Sequence, residues 1–403
     1  MRKIEVHLRD VVVGTLARDR GGAERFEFDD DYRRLPPSRR PILGQVFEDA
    51  LPESLESDEP INWFVHLLPQ GLMRKWLAGA SAISADDSFE MLGVLGGNLP
   101  GAVTATPVDD GDAPASPVTA PPSRPRPLGK GLKWSLAGQQ YKINARELEG
   151  ERLTVRGTDD GEPCIIKLDA SPYDDVPANE HATMRWAAAA GLPTPPFRLG
   201  HIDELDEIPR GLPTGDGQIY VVRRFDRDAS SRIHMEDFAQ IYDRSPFDLD
   251  IYHGSYEQIA ETIGYLCPGS LQNFIRQVVF TVCSGNGDAH LKNFSLQYGV
   301  GGNVRGSALS PMYDQVSTVV YDDIDSGLAL ELGGSRDWNI DADRLMSLAA
   351  IGHGFADLSM DVVDQAVSDI LAAFDPDTLG YPPRHGEIIR AHLDRLPLVD
   401  GHR

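Results

Sequence analysis

The sequence predicts an α+β chain in three parts: a small mixed domain, a strand-rich lobe holding one helix, and a helical lobe. Three observations carry this. The run Thr104 to Pro127 is rich in Pro, Ala, Ser and Asp, has almost nothing to bury, and reads as an extended linker. From Gly129 to about Phe225, short apolar runs alternate with turn signals. Past Asp226 the apolar residues recur mostly at helical spacing. The expected boundaries are 1–103 for the first domain, 104–128 for the linker, 129–225 for the strand-rich lobe and 226–403 for the helical lobe. The length of 403 residues fits two or three domains.

In the first domain, Ile4–Leu8, Val11–Leu16 and Phe26–Phe28 read as strands. Trp63, Phe64, Leu67 and Leu68 recur at helical spacing before Pro69, and Ser88 is placed to cap a helix carrying Phe89, Leu92 and Leu95. After the linker, Leu153–Arg156 and Cys164–Leu168 flank Thr158-Asp159-Asp160-Gly161, a hairpin signal. Ala178–Ala190 is a helix closed by Gly191 and Pro193, and Gln218–Phe225 is a buried strand. Ser270–Val282 follows with a Ser cap and an apolar face of Leu271, Phe274, Ile275, Val278 and Val282. Ser359–Phe374 and Glu387–Leu396 are expected as two more helices.

Charge narrows the function. Sixty-two Asp and Glu against 38 Lys and Arg give −24, a surface that repels phosphate backbones and anionic lipid. Sequence-independent nucleic-acid binding by the chain alone is therefore not expected. Cys164, Cys267 and Cys283 form no CxxC pair and no metal-ligand spacing; an odd count without a framework fits a reducing cytoplasm and buried thiols. The start, MRKIEVHLRDVVVGTLARDR, reads as strand and turn rather than signal peptide. No stretch approaches the roughly 18–20 apolar residues of a membrane span. The expectation is a cytoplasmic protein without a membrane partner.

The chemistry concentrates after the Ser270–Val282 helix, in SGNGDAHLKNFSL, 284–296. Asp288 and Asn293 stand in a D-x-x-x-x-N pattern, a short strand and a Gly-rich loop follow, and Tyr313-Asp314 supplies a second acid. Phosphoryl transfer of the kinase type needs such a set: one carboxylate to accept the substrate hydroxyl proton, and one amide and one carboxylate to hold Mg²⁺ against the ATP phosphates. Asp314 lies in DQVS, not in a D-F-G. Alone, the pattern describes solvated loop residues equally well. Its context adds Lys167 in the apolar run Cys164–Leu168 and Glu180 near the start of the next helix. Lys167 is either an edge-strand surface lysine or a cation seeking phosphate. Glu180 either pairs with it or merely suits the helix N-terminus. Gly129-Lys130-Gly131 and Ser135-Leu136-Ala137-Gly138 lie where a loop over the phosphates belongs. His290 either touches phosphate or is a packed, hydrogen-bonded histidine. The chain has no G-x-x-x-x-G-K-[ST], Rossmann glycine fingerprint, H-E-x-x-H or G-x-S-x-G.

At these residues the sequence resembles the HipA family of bacterial toxin serine/threonine-protein kinases, from about Val12 to about Ser317. NGDAHLKNFS (286–295) is similar to the family's catalytic loop, SPMYDQVST (310–318) to its metal-binding segment, SLAGQQYK (135–142) to its phosphate loop, IIKL (165–168) to its Lys strand and VVRRFDR (221–227) to its nucleotide hinge. HLLPQGLMR (66–74) and SFEMLGVLGGNLPGAV (88–103) resemble its N-terminal subdomain. Arg223 stands where the family hinge has an acid, and Tyr141 where its loop has a polar or acidic residue. The resemblance implies a two-lobed protein-kinase-like fold with an appended α+β N-terminal subdomain, ATP and Mg²⁺ as cofactors, and a serine on a protein as acceptor. In the best-known members that acceptor is an aminoacyl-tRNA synthetase, notably the glutamyl enzyme, and growth stops. It implies Asp288 as catalytic base, Lys167 on the α/β-phosphates, and Asn293 and Asp314 as metal ligands. It further implies Arg223 and Phe225 as backbone partners of adenine, Ala137, Gly138 and Gln139 over the phosphates with His290 nearby, and Ser135 as a regulatory phosphosite. The implied partner is a small helix-turn-helix antitoxin, with DNA reached only through it.

Two other readings remain at this point. One is a kinase-shaped binding module with little turnover, acting in antitoxin and operator complexes; the intact polar set argues against it. The other is a small-molecule kinase of the aminoglycoside type, against which the N-terminal subdomain argues.

Overall fold

Alternating apolar residues in the first 108 residues build an antiparallel sheet: β1 (Arg2–Leu8), β2 (Val11–Arg18), β3 (Glu24–Phe28), β4 (Ser54–Ser57) and β5 (Val103–Val108), in the order β4-β3-β2-β1-β5. The structure, a computed structural model, describes residues 1–48, 51–108, 140–155, 160–169, 173–209, 211–228, 231–246, 249–299, 306–322 and 327–402. The chain folds as two units. The first comprises Met1–Lys130, Asp226–Ile251 and Ser295–Ser307; the second comprises Gly131–Phe225, Tyr252–Phe294 and Ala308–Arg403.

In the first unit, Ile4, Val6, Leu8, Phe26 and Phe28 point inward at every second position. Helices Asn62–Val65 and Ser88–Leu95 cover them with Trp63, Phe64, Phe89, Met91 and Leu92. The aromatic rings meet edge to face, Phe26 with Phe64 at 4.9 Å and Trp63 with Phe64 at 5.2 Å. Two expectations change. The cap of the second helix is Asp87, whose carboxylate accepts from Glu90 N at 2.9 Å, and Ser88 is already helical. The linker does not begin at Thr104, because Val103–Val108 alternates and pairs with β1 from Leu8 to Lys3. Pro107 fits there because β5 is an edge strand, where a missing N–H costs no ladder bond.

The later stretches of this unit complete its polar interior. Met235–Asp237 pairs with Ser295–Gln297 and carries Glu236, which is fully buried. Its carboxylate accepts from Trp63 Nε1 at 2.8 Å, from Gln45 N at 3.0 Å and from the Tyr298 hydroxyl. Gln45 Nε2 in turn donates to the Tyr298 oxygen at 3.0 Å. Asp226 Oδ2 accepts from Gly101 N, and Arg227 donates to the Leu99 and Gly101 carbonyls.

The second unit contains β6 (Lys142–Glu147), β7 (Leu153–Thr154), β8 (Glu162–Leu168), β9 (Phe197–His201) and β10 (Gln218–Arg223), in the order β7-β6-β8-β10-β9. The expected hairpin between Leu153–Arg156 and Cys164–Leu168 is not made. Both β7 and β8 pair with β6, a strand the sequence reading passed over. The register sets Lys167 opposite Lys142 on one side and opposite Tyr220 on the other.

Helix Val176–Ala189 begins two residues before the expected Ala178, with Pro177 in its first turn. Its Met184 packs on Tyr220 and Val222. Trp186 bonds the Ile370 carbonyl at 2.8 Å and lies against Phe280 and Phe374, tying this helix to Leu271–Ser284 and Val362–Ala372. The Leu271–Ser284 helix ends at Gly285 with φ 64°, where a Cβ would lie 2.5 Å from Val319. Ser270 precedes it without a side-chain cap; its Oγ accepts from Leu309 N instead. Helix Pro383–Leu393 closes the lobe, and Ala342–Ala356 is a helix the periodicity did not bring out. All three cysteines are buried, and burial pushes their thiols up to about 11 or 12. Among the described residues no helix is long and apolar enough to cross a membrane.

Glu236 generates a prediction. Burial raises its pKa to about 7 against the donors Trp63, Tyr298 and Gln45. Between the ordinary glutamate value near 4.3 and about 7 the folded state binds more protons than the unfolded, so stability falls as pH rises through that window. Glu236→Gln keeps the acceptor oxygen and removes the titration. Thermal midpoints measured from about pH 4.5 to about pH 8 should decline in the wild type and flatten in the variant over this range.

Candidate active site

Strand β8 lies between β6 and β10, so its flanking Ile166 and Leu168 are buried and the Lys167 side chain is only 5% exposed. An ammonium there must find anions. It finds Glu180 Oε1, whose side chain is fully buried, and Asp314 Oδ1 at 2.5 Å. Asp314 Oδ2 accepts from Lys142 Nζ at 2.6 Å. Four charged side chains from two strands, a helix and a loop thus form one chain of ion pairs. Burial by itself would depress the Lys167 pKa, but Asp314 and Glu180 more than reverse it, and the value is raised. Burial pushes Glu180 up despite Lys167. Burial would also raise Asp314, yet Lys142 and Lys167 hold it far below the usual carboxylate range. Asp314 has φ 58°, a left-handed conformation that Asp tolerates better than most residues.

The loop after the Leu271–Ser284 helix is stitched to the segment carrying Asp314. Asn286 Oδ1 accepts from Asp288 N at 3.0 Å, while its Nδ2 donates to Gln315 Oε1 at 2.9 Å. Gly287 N donates to Thr318 Oγ1 at 2.7 Å, and Ser317 Oγ to the Ser284 carbonyl at 2.6 Å. The Tyr313 hydroxyl reaches the Lys292 carbonyl at 2.7 Å. Asn179, next to Glu180, both donates to Ser317 O and accepts from Ser317 N. His290 and Asn293 close a tight turn on each other: His290 Nδ1 accepts from Lys292 N and Asn293 Oδ1 from His290 N. His290 is 5% exposed, and its ring packs at right angles to that of Tyr252. The Tyr252 hydroxyl donates to Asp288 Oδ1 at 2.7 Å.

A pocket opens over this cluster. Lys167, Glu180 and Asp314 line it together with Tyr220, Val222, Arg223, Phe225 and Tyr313. Phe225 and Tyr313 lie 5.1 Å apart at 42°, offering apolar faces to a planar group. Arg223 lines the pocket, but its amide donates to the Pro196 carbonyl at 2.8 Å and its guanidinium points toward Glu162 at 3.6 Å. That N–H is therefore not a donor for a ligand. Ala137, Gly138, Gln139 and Ser135 lie outside the described residues. Tyr220 and Tyr313 line the pocket and Lys142 pairs with Asp314, none of them singled out from the sequence. The signal for Lys142 was its place at the end of SLAGQQYK, and it becomes legible only once β6 is recognised as the partner of β8.

Lys167→Met would leave Glu180 buried without its cation. Breaking a buried pair from one side costs about 3–5 kcal/mol, so thermal unfolding of the variant should start well below that of the wild type.

The family model described as HipA N-terminal domain matches residues 4–106, and the HipA-like C-terminal domain matches residues 134–376. The chain is 32% identical to a Sinorhizobium fredii protein named "Putative kinase Y4dM", over 94% of this chain and 93% of that one. It is 24% identical to the serine/threonine-protein kinase toxin HipA of Shewanella oneidensis, over 83% and 80%. The solved complex of Shewanella oneidensis MR-1 HipA with HipB and operator DNA holds a chain that superposes with a TM-score of 0.70 at 22% identity, covering 98% of this chain and 96% of that one. With both parts matched in order along one chain, the protein belongs to the HipA family and has its kinase-like fold with an N-terminal subdomain.

Proposed function

We propose that this chain is an ATP-dependent protein kinase that phosphorylates serine or threonine hydroxyls and acts as the toxin of a toxin–antitoxin pair. The observation that carries the reading is the buried contact of Lys167 with both Glu180 and Asp314, on the segment stitched to the Asp288 loop. A buried lysine held by two acids is a phosphate clamp with its charge secured.

In this reading Asp288 accepts the proton of the acceptor hydroxyl as that oxygen bonds to the γ-phosphorus; the bond from phosphorus to the β-bridging oxygen breaks and ADP leaves. Lys167 turns its ammonium from Asp314 toward the α/β-phosphates while Glu180 holds it in place. The oxygen donors of Asp314 and Asn293 suit Mg²⁺, which takes a carboxylate or two and completes its shell with water and phosphate; bound there, the ion would neutralise charge between the phosphates. The faces of Phe225 and Tyr313 suit a purine. Phe225 and the Arg223 carbonyl would serve as the hinge's backbone contacts, since the Arg223 amide is committed to Pro196. Ala137, Gly138 and Gln139 would cover the phosphates with His290 nearby. Phosphate on Ser135 would bring about −1.5 to −2 charges beside ATP and expel that loop.

The acceptor is proposed to be a translation component such as an aminoacyl-tRNA synthetase, after the better-known members. A small helix-turn-helix antitoxin is the proposed partner, supported by the HipA–HipB–DNA complex of the Shewanella relative. With a net charge of −24, DNA contact would come through that partner.

Two outcomes test the assignment. Asp288→Ala should lower label transfer from Mg-ATP to protein by ~10²–10⁴ while nucleotide binding survives; a variant transferring label at the wild-type rate rejects the kinase reading of this loop. Asn293→Ala and Asp314→Ala should each shrink the thermal shift produced by Mg-ATP, because each removes a hard oxygen ligand. Full shifts in both would put the metal elsewhere.

A further inference from the structure

Tyr252 lies outside the quoted motifs and is hydrogen-bonded directly to the residue read as the base. It is the last residue of the 3-10 helix Leu249–Tyr252, ahead of the helix Tyr256–Leu266, and its hydroxyl donates to Asp288 Oδ1 at 2.7 Å. Its ring meets His290 edge-on at 5.0 Å and 85°, and its carbonyl accepts from the Arg336 guanidinium. The residue is thus held by its hydroxyl and by its main-chain carbonyl. Four residues on, the Tyr256 hydroxyl donates to the Ala289 carbonyl at 3.1 Å. One short segment therefore grips the Asp288 side chain and the backbone next to it, while Asn286 holds the Asp288 amide from the other side.

We propose that Tyr252 is a positioning residue: its hydroxyl fixes the plane of the Asp288 carboxylate, so that the base meets an incoming hydroxyl already oriented. The proposal rests on the reading of Asp288 as base. A carboxylate on a free χ2 samples many orientations, and the rate of proton transfer depends on its alignment with the acceptor. The phenol hydroxyl is the donor in this contact, so it orients the carboxylate without taking its place as proton acceptor. A protein hydroxyl that displaced Tyr252 from Asp288 would make the same geometry inhibitory, and the two roles predict opposite signs.

The test uses the full chain with γ-labelled Mg-ATP, following label into dephosphorylated casein and into the chain itself. Tyr252→Phe keeps the ring against His290 and removes the donor. The expected result is a fall in kcat of about tenfold, with KM for Mg-ATP changed less than about twofold and the melting temperature retained. In an Asp288→Asn background the same change should cost less than about twofold further, because a residue acting through Asp288 has nothing left to orient. A kcat equal to or above wild type in Tyr252→Phe, or a full additional loss on top of Asp288→Asn, overturns the proposal. Equal transfer by wild type and Asp288→Asn overturns the base reading instead, and the positioning role falls with it.

Discussion

A lysine ammonium sealed inside a β-sheet is the constraint around which the second unit is arranged. Lys167 sits on a central strand with its side chain almost wholly buried, and a bare cation there would cost several kcal/mol. Its partners must come from elsewhere in the chain. Glu180 requires the helix after β8 to lie with one face against the sheet, and Asp314 requires a loop residue in a left-handed conformation. Sheet, helix and loop positions are thereby correlated through one charge. The site is a place where electrostatic satisfaction and fold specification are the same requirement.

The loop carrying Asp288 and Asn293 shows a second economy. Its polar side chains are largely spent on its own backbone and on the 313–318 segment: Asn286 on Asp288 N and Gln315, Thr318 on Gly287 N, His290 and Asn293 on each other's turn. Preorganisation of this kind removes reorganisation at the moment of reaction. It also explains why such a short stretch is dense in Asn, Asp, Ser and Thr: the residues that look catalytic in a list are mostly those holding the loop's shape.

Much of this was legible beforehand because it is local. Alternation gave β1 to β3, and the Gly191 and Pro193 stop signals gave the end of the Val176–Ala189 helix, since each depends on neighbours in sequence. The order of Lys167, Glu180, Asp288, Asn293 and Asp314 could be read as a set because the chemistry dictates residue types. What escaped depends on partners far along the chain. β6 is short and polar, with Lys142, Asn144, Arg146 and Glu147, so its strand identity comes from the two strands it pairs with. β5 was absorbed into the Pro-rich seam because Pro107 masks an edge strand that only its partner β1 defines. Ser88 and Ser270 look like caps, but Asp87 competes better in one case and a tertiary acceptor role claims the other. Tyr252 carries no motif, and only the folded loop brings it to Asp288.

The first unit is written into the chain in three instalments. Trp63 and Gln45 emerge early from the ribosome, but their acceptor Glu236 follows 173 and 191 residues later, and Tyr298, which shares that carboxylate, later still. Closing such long loops defers the reward for ordering the early segment. Until the second instalment is made, an indole N–H and a main-chain amide destined for the interior lack their acceptor, and until the third is made that buried carboxylate lacks the Tyr298 hydroxyl. The first unit can therefore reach its final interior only after Asp288 has been synthesised. A nascent chain interrupted between these points would hold an apolar sheet with an unfinished polar centre, a natural target for chaperone capture or proteolysis. The order of synthesis thus makes completion of the amino-terminal unit a late event in the life of the chain.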